Sequence, residues 1–178
     1  MTQSPLPGHR LSLQDRLLSG TRLPFLGKLA YLALKLLGVE FPRSVQWDGP
    51  IQLAHGSVGL VVHRDTRIGA RVTILPGVVI GLADAHMPFG SIPEGGGVVI
   101  GDDVTLGAGA KVLFRSGHEL VIANGTVVGA NAVLLESTQP GEIWAGVPAR
   151  RVGVVSESVR PRRALQRVRR AGTGETAR

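Results

Sequence analysis

An aliphatic residue returns every six positions between residues 67 and 152, and few folds accommodate that spacing. Ile68, Ile74 and Ile80 form one run, Ile100, Leu106 and Val112 a second, and Ile122, Val128 and Leu134 a third. Gly or another small residue usually follows, as in I-G-A-R-V-T, I-G-D-D-V-T, L-G-A-G-A-K and V-G-A-N-A-V. A period of six fits neither an amphipathic helix, which repeats at about 3.6, nor a strand alternating at two. It does fit a parallel β-helix, where each short flat strand sends one large aliphatic side chain into an interior stack. The small neighbours let the chain turn tight corners.

Composition agrees with stacked thin layers. The 178 residues suit one domain with a modest extra element, and aromatics make up only 4%. The chain has no cysteine, which excludes disulfides, thiolate metal sites and a cysteine nucleophile. A reducing cytoplasm is compatible with that and is the expected location. The first twenty residues are polar, without the continuous apolar core of a secretory signal.

The net charge of +7 divides unevenly. Residues 151–178 hold eight arginines against Glu157 and Glu175, so this part supplies +6 and the other 150 residues about +1. The string R-P-R-R-A-L-Q-R-V-R-R has no interleaved aromatics for base stacking, so nucleic acid is not an expected partner. A solvated, disordered tail is the simpler expectation. The alternative is weak attraction to phosphates, of a cofactor or of an anionic lipid surface.

Three parts follow: an N-terminal helical segment over 1–39, a β-helix over 40–153, and a basic tail over 154–178. Residues 11–20 read as a short helix. Leu23 to Val39 is leucine-rich, with Pro24 near a helix start and Gly38 at its C-terminal cap. Lys28 and Lys35 interrupt it, and it is too short to span a bilayer. It is expected to pack on the end or side of the β-helix, with membrane-surface contact as the alternative. Two insertions break the rhythm. Residues 82–98, with two prolines and four glycines, form a loop thrown out between repeats. The second, F-R-S-G-H-E at 114–119, adds four residues to the two-repeat spacing between Val112 and Val128. Long loops inside a repeat array are usually functional or disordered.

At V-E-F-P, I-Q-L-A-H-G, G-L-V-V-H, I-G-A-R-V-T-I-L-P-G-V-V-I-G, V-I-G-D-D-V-T-L-G-A-G-A-K-V-L and A-G-V-P-A-R the chain resembles the hexapeptide-repeat acyltransferases. It is most similar to the serine O-acetyltransferase group, with its polysaccharide and xenobiotic relatives. The resemblance runs from about Val39 to Gly153. It implies an all-β fold, a left-handed parallel β-helix, which is an exception to right-handed crossovers. It also implies a homotrimer that binds acetyl-CoA, the acyl donor, in grooves between subunits, and no metal. The serine enzymes carry a longer helical N-terminal domain than the forty residues available here. A serine, sugar or other small alcohol therefore stays open as acceptor.

Acetyl transfer to a hydroxyl needs a base, and histidine, with an ordinary pKa of about 6.5, suits that role near neutrality. The chain has His9, His55, His63, His86 and His118. His9 lies in the loose start. The resemblance assigns the catalytic base to His55, in L-A-H-G, with one extra residue around Ser57–Val58 relative to the serine enzymes. Glu40, fifteen residues earlier, is the acidic partner that would orient the imidazole, and Asp48 is its substitute. A second family histidine falls on Gly97 here, so His86 within the loop is its replacement candidate. His86 and Asp84 are the acceptor-binding candidates, and His63 reads as structural. Gly107, Ala108 and Ala130 occupy the late-coil positions that leave room for the pantetheine arm, although any β-helix corner favours Gly or Ala. Arg150 matches a basic residue near the nucleotide phosphates, with Arg151 beside it. Glu136 stands where relatives often carry a lysine.

Three other readings compete. A zinc hydratase on this fold needs an H-x-x-x-x-H pair, but His55 and His63 are eight apart. A nucleotidyltransferase needs an α/β domain ahead of the repeats. A non-catalytic trimeric scaffold is the reading of another class, favoured by Gly97 and Glu136 and opposed by His55, Glu40 and the closing motif.

Overall fold

The computed structural model describes residues 12–24, 26–88 and 93–155. Two helices come first, α1 (Leu13–Gly20) and α2 (Gly27–Leu36). The strands follow as β1 (Val39–Glu40), β2 (Gln46–Trp47), β3 (Ile51–Leu53), β4 (Leu60–Val61) and β5 (Thr66–Ile68). Then come β6 (Val72–Ile74), β7 (Val79–Leu82), β8 (Gly97–Ile100), β9 (Thr105–Leu106) and β10 (Lys111–Phe114). The last are β11 (Glu119–Ile122), β12 (Val127–Val128), β13 (Val133–Leu134), β14 (Glu142–Gly146) and β15 (Ala149–Val154).

Successive strands pass to successive sheets, so the chain winds as a three-faced parallel β-helix. Face I stacks β1, β4, β7, β10 and β13; face II stacks β2, β5, β8 and β11; face III stacks β3, β6, β9, β12, β14 and β15. Each aliphatic run of the sequence is one coil. Ile68, Ile74 and Ile80 point inward from faces II, III and I, and the next coils place Ile100, Leu106 and Val112, then Ile122, Val128 and Leu134, directly over them. All nine are at most 1% exposed and belong to one continuous core. Burying an aliphatic side chain of this size contributes roughly 1.5–3 kcal/mol, so the repeated stack dominates the stability of the fold.

At the closing motif the chain reverses direction. β15 runs antiparallel to β14, pairing Trp144 with Arg151 and Gly146 with Ala149. A hairpin thus ends the winding where a further parallel coil would otherwise have laid its strand. The basic tail beyond Val155, and His9, lie outside the described residues.

The leucine-rich stretch forms a helix only from Gly27, and Gly38 at its far end adopts φ of +76°, as a C-terminal cap requires. Ala30 and Leu34 face inward, while Leu29, Leu32 and Leu36 stay exposed. α1 has a full capping box between Ser12 and Asp15. The buried carboxylate of Asp15 also accepts a hydrogen bond from the Leu53 amide at 2.8 Å, tying the helix to the end of β3. Among the described residues no helix is long and apolar enough to cross a membrane.

Candidate active site

The edge joining faces III and I turns through a column of left-handed residues. Gly38, Gly59, Gly77, Gly109 and Asn131 have φ between +55° and +79°. From Gly59 onward each amide bonds to a carbonyl of the coil before: Gly59 to Gly38, Gly77 to Val58, Gly109 to Pro76 and Asn131 to Ala108, at 2.7–2.9 Å. The corners therefore stack in register. Only the second coil departs. Leu53 to Val62 spans nine residues where the equivalent Ile74 to Ile80 spans six, so three extra residues bulge out.

His55 sits on that bulge. His55, Gly56 and Ser57 have φ of +53°, +77° and +47°, a run of left-handed conformations that L-residues rarely adopt. The strain is held from two sides. Ser57 is fully buried, and its hydroxyl donates to the Ile74 carbonyl at 2.7 Å. Gln14 of α1 lies so close to Gly56 that a Cβ there would stand 2.6 Å from its amide nitrogen. His55 itself is exposed, and among the described residues its ring has no hydrogen-bond or ion-pair partner. A residue kept in a sparsely populated conformation by its surroundings is a mark of functional sites.

Apart from Glu40 and Asp48, the other candidates from the sequence fall on two edges. Gly107 and Ala108 form the III–I turn between β9 and β10, and Ala130 forms the same turn one coil on, between β12 and β13. Arg150 lies opposite Ala145, at the end of that row. The fold thus puts the base candidate and the four donor-site candidates along one edge. Arg150 is not a free cation, because its Nη1 meets Glu136 at 2.9 Å. Arg151 pairs with Glu142 at 2.9 Å.

Glu40 lies on face I, and its carboxylate meets the Lys35 ammonium at 3.8 Å rather than the His55 ring. Its substitute, Asp48, sits on the turn after β2, at the II–III edge, and is likewise not paired with His55.

Asp84 and His86 fall on the I–II edge, in the loop after β7. The Asp84 carboxylate accepts from the Ser116 amide and from its hydroxyl, both at 3.0 Å, and so pins the long loop to the small insertion one coil above. Desolvation pushes the Asp84 carboxyl up, but the Ser116 hydrogen bonds and nearby His86 together outweigh it and hold it below its ordinary value. His63 sits at the same edge with its ring edge-on to Phe114, centroids 5.0 Å apart. Burial lowers its pKa, against the opposing charge of Asp65, so the ring favours the neutral form that a packing role needs. His118 donates from Nδ1 to the Ser116 carbonyl at 3.1 Å.

Two cavities that sequence reasoning missed lie on this edge. One, of about 210 Å³, is walled by Arg115, His118, Glu119 and Glu136 among others. A second, of about 230 Å³, is walled by Asp84, His86 and Leu113 and shares Arg115 and Leu135 with the first. The four-residue excess at 114–119 was the available signal. Among the described residues no group of three or more His, Cys, Asp or Glu is placed to hold a metal.

No protein-family model matches the chain. Serine acetyltransferase of Mycobacterium tuberculosis (strain ATCC 25618 / H37Rv) is 34% identical over 151 residues, which cover 82% of this chain and 58% of that protein. UDP-3-O-acylglucosamine N-acyltransferase of Pseudomonas fluorescens (strain SBW25) is 34% identical over 88 residues, 47% of this chain and 25% of that protein. The solved serine acetyltransferase of Brucella abortus strain S19, in complex with coenzyme A, superposes with a TM-score of 0.60 at 25% identity, covering 81% of this chain and 53% of that one. The chain spans little more than half the length of the serine acetyltransferases it matches here. These likenesses support a hexapeptide-repeat acyltransferase. Within that class they support the serine O-acetyltransferase group as the one this chain is most like.

Proposed function

We propose that this protein is an O-acetyltransferase, moving an acetyl group from acetyl-CoA to the hydroxyl of a small, serine-like acceptor. One observation carries the reading: the III–I edge aligns His55 with the small-residue turns at Gly107–Ala108 and Ala130 and with Arg150. The Gly107–Ala108 and Ala130 corners carry no bulky side chain and leave room for an extended pantetheine arm, while Leu75 and Pro76 stand at the corner between them and the exposed imidazole of His55. The Brucella relative, solved in complex with coenzyme A, supports a coenzyme A-linked acyl donor.

The chemistry follows from these positions. His55 takes the proton of the acceptor hydroxyl as its oxygen attacks the thioester carbonyl, the C–S bond breaks, and the proton passes to the departing thiolate. A positioned general base of this kind contributes roughly 10²–10⁴-fold. Glu40 would orient the ring only after exchanging Lys35 for His55. The Glu136–Arg150 pair leaves one guanidinium face for the donor phosphates, with Arg151 alongside.

We further propose a left-handed winding, a homotrimer and a cytoplasmic setting, where acetyl-CoA is available. The outward side chains of face I support the trimer. They include Val61, Val79, Leu113, Val133 and Leu135 beside Glu40 and Lys111. Face II instead sets the Arg67–Glu119 ion pair beside Val99 and Val121, and face III sets Gln52, Thr73 and Thr105 beside Val127 and Ile143. Three prisms turning face I toward a common threefold axis bring the III–I edge of one copy against the I–II edge of the next, a heterologous contact that closes. His55 would then meet His86 and Asp84 of a neighbouring copy, which lie on a different edge within a single chain.

The similarity to a UDP-3-O-acylglucosamine N-acyltransferase supports a second reading, transfer to a sugar. Thiol release from acetyl-CoA, measured with L-serine, free sugars and a nucleotide-linked amino sugar, separates the two. Turnover with serine alone supports the first reading, and turnover with a sugar alone replaces it. Absence of acetyl-CoA binding by calorimetry would favour the non-catalytic scaffold.

A further inference from the structure

The two I–II edge cavities share one cation with no partner. Arg64, Arg67, Arg71, Arg150 and Arg151 each pair with a carboxylate. Arg115, like Arg16 and Arg43 elsewhere in the fold, does not: among the described residues its guanidinium has no hydrogen bond and no ion pair. Three carboxylates line the cavities beside it, and every one is engaged elsewhere. Glu119 holds Arg67, Glu136 holds Arg150, and Asp84 is taken by Ser116. The first two are thus paired with other cations and the third with hydrogen-bond donors. That leaves Arg115 as a planar, five-donor cation on a concave surface, the geometry that suits bidentate capture of a carboxylate or phosphate.

The flanking groups point the same way. His86 lines one cavity and His118 the other. A carbonyl can only accept, so His118 carries a hydrogen on Nδ1 toward Ser116, which leaves Nε2 as the ring's remaining polar atom. The backbone of the long loop returns directly against this insertion: a Cβ on Gly96 would stand 2.4 Å from the His118 carbonyl oxygen. No side chain therefore fits between the two insertions at that point, and side chains of both insertions wall the cavities on either side of it. Both cavities are smaller than the roughly 300–1,000 Å³ of pockets for drug-sized ligands, a size for an amino acid rather than a sugar nucleotide.

We propose that Arg115 is the specificity-determining residue of the acceptor site, receiving the carboxylate of a small hydroxy amino acid between His86 and His118. The assignment rests on the O-acetyltransferase reading, but equilibrium binding tests it without turnover. Affinities of L-serine, of serinamide, in which the carboxylate is an uncharged amide, and of coenzyme A are measured by calorimetry on wild type, Arg115→Ala and Arg115→Lys. The wild type should bind serine at least tenfold tighter than serinamide. Arg115→Ala should reduce that ratio to near one, Arg115→Lys should restore part of it, and coenzyme A affinity should stay unchanged in all three, which also shows that the variants are folded. Equal affinity for serine and serinamide in wild type, or a ratio untouched by Arg115→Ala, overturns the proposal. So does loss of coenzyme A affinity in Arg115→Ala, which would assign the guanidinium to a donor phosphate. Failure of the transfer reading is seen separately, as serine binding without thiol release.

Discussion

The II–III and III–I edges of the prism are built from the same device and finished in opposite ways. Both turn through left-handed residues stacked coil on coil: Arg71, Asp103, Gly125 and Gly141 on one, Gly59, Gly77, Gly109 and Asn131 on the other. On the II–III edge the side chains close on one another. Arg71 makes two 2.7 Å bonds to Asp103 and a third at 3.2 Å to Asp102. Asp102 in turn accepts from the Ala70 amide at 2.8 Å, and Asn124 accepts from the Asp102 amide at 2.9 Å. On the III–I edge the last two turns are mostly Gly and Ala, and Lys111 donates to the Gly77 and Gly109 carbonyls at 3.3 and 2.6 Å. A three-residue bulge there presents a partnerless His55. An edge whose polar groups are satisfied within the chain is scaffold, and an edge that leaves them open is available to a ligand.

Substitutions on the two edges should therefore separate activity from stability. The largest effect is expected for His55→Asn, chosen because Asn tolerates the left-handed conformation. Its kcat for thiol release should fall by roughly 10²–10⁴-fold, with the melting temperature nearly unchanged. Next is Asp15→Ala, which removes the reciprocal half of the capping box, where the Ser12 amide donates to the Asp15 carboxylate, and the acceptor for the buried Leu53 amide. It should cost about 2 kcal/mol in denaturant unfolding and lower activity indirectly, by loosening the bulge that α1 braces.

How much of this could be read from the sequence depends on how local its cause is. The winding was legible because its period is written into Ile68, Ile74 and Ile80 and repeats twice more. The positions of the two insertions were legible as departures from that count, and His55 as the histidine ahead of the regular coils. The pairing of side chains was not. Asp84 meets Ser116, and Asp15 meets Leu53, only because insertions of particular length bring particular coils into register. Glu40 shows the same limit, since its ion pair with Lys35 reaches back across the end of α2. The antiparallel β14–β15 return was also hidden, because A-G-V-P-A-R has no period from which a reversal could be counted. Arg115 was invisible for a further reason: its distinction is that neighbouring carboxylates are occupied, which is a property of the folded edge.

Asp84 sharpens the comparison through pH. Its folded-state pKa lies below its ordinary value, so its contribution to stability is present above the unfolded pKa and is lost as pH falls through the folded one. Asp84→Asn should unfold at lower denaturant than wild type at pH 7, with the gap closing at acid pH. An equal gap at both would show that the carboxylate charge is irrelevant to the tie. The smallest effect is expected for Arg71→Ala on the closed edge. Removing this exposed pair should cost under about 1 kcal/mol and leave acetyl transfer unchanged, whereas a large loss of activity would break the distinction between the edges.

The central claim is that the reaction takes place where the III–I edge of one copy meets the I–II edge of another. Co-assembled oligomers of His55→Ala and Arg115→Ala test it most directly, because neither variant alone contains an intact site. In a random trimer, about a quarter of the interfaces would pair an intact His55 edge with an intact Arg115 edge. Thiol release with L-serine should then recover toward a quarter of the wild-type rate. Recovery no greater than the average of the two variants measured separately would contradict the account and place the whole site within one chain.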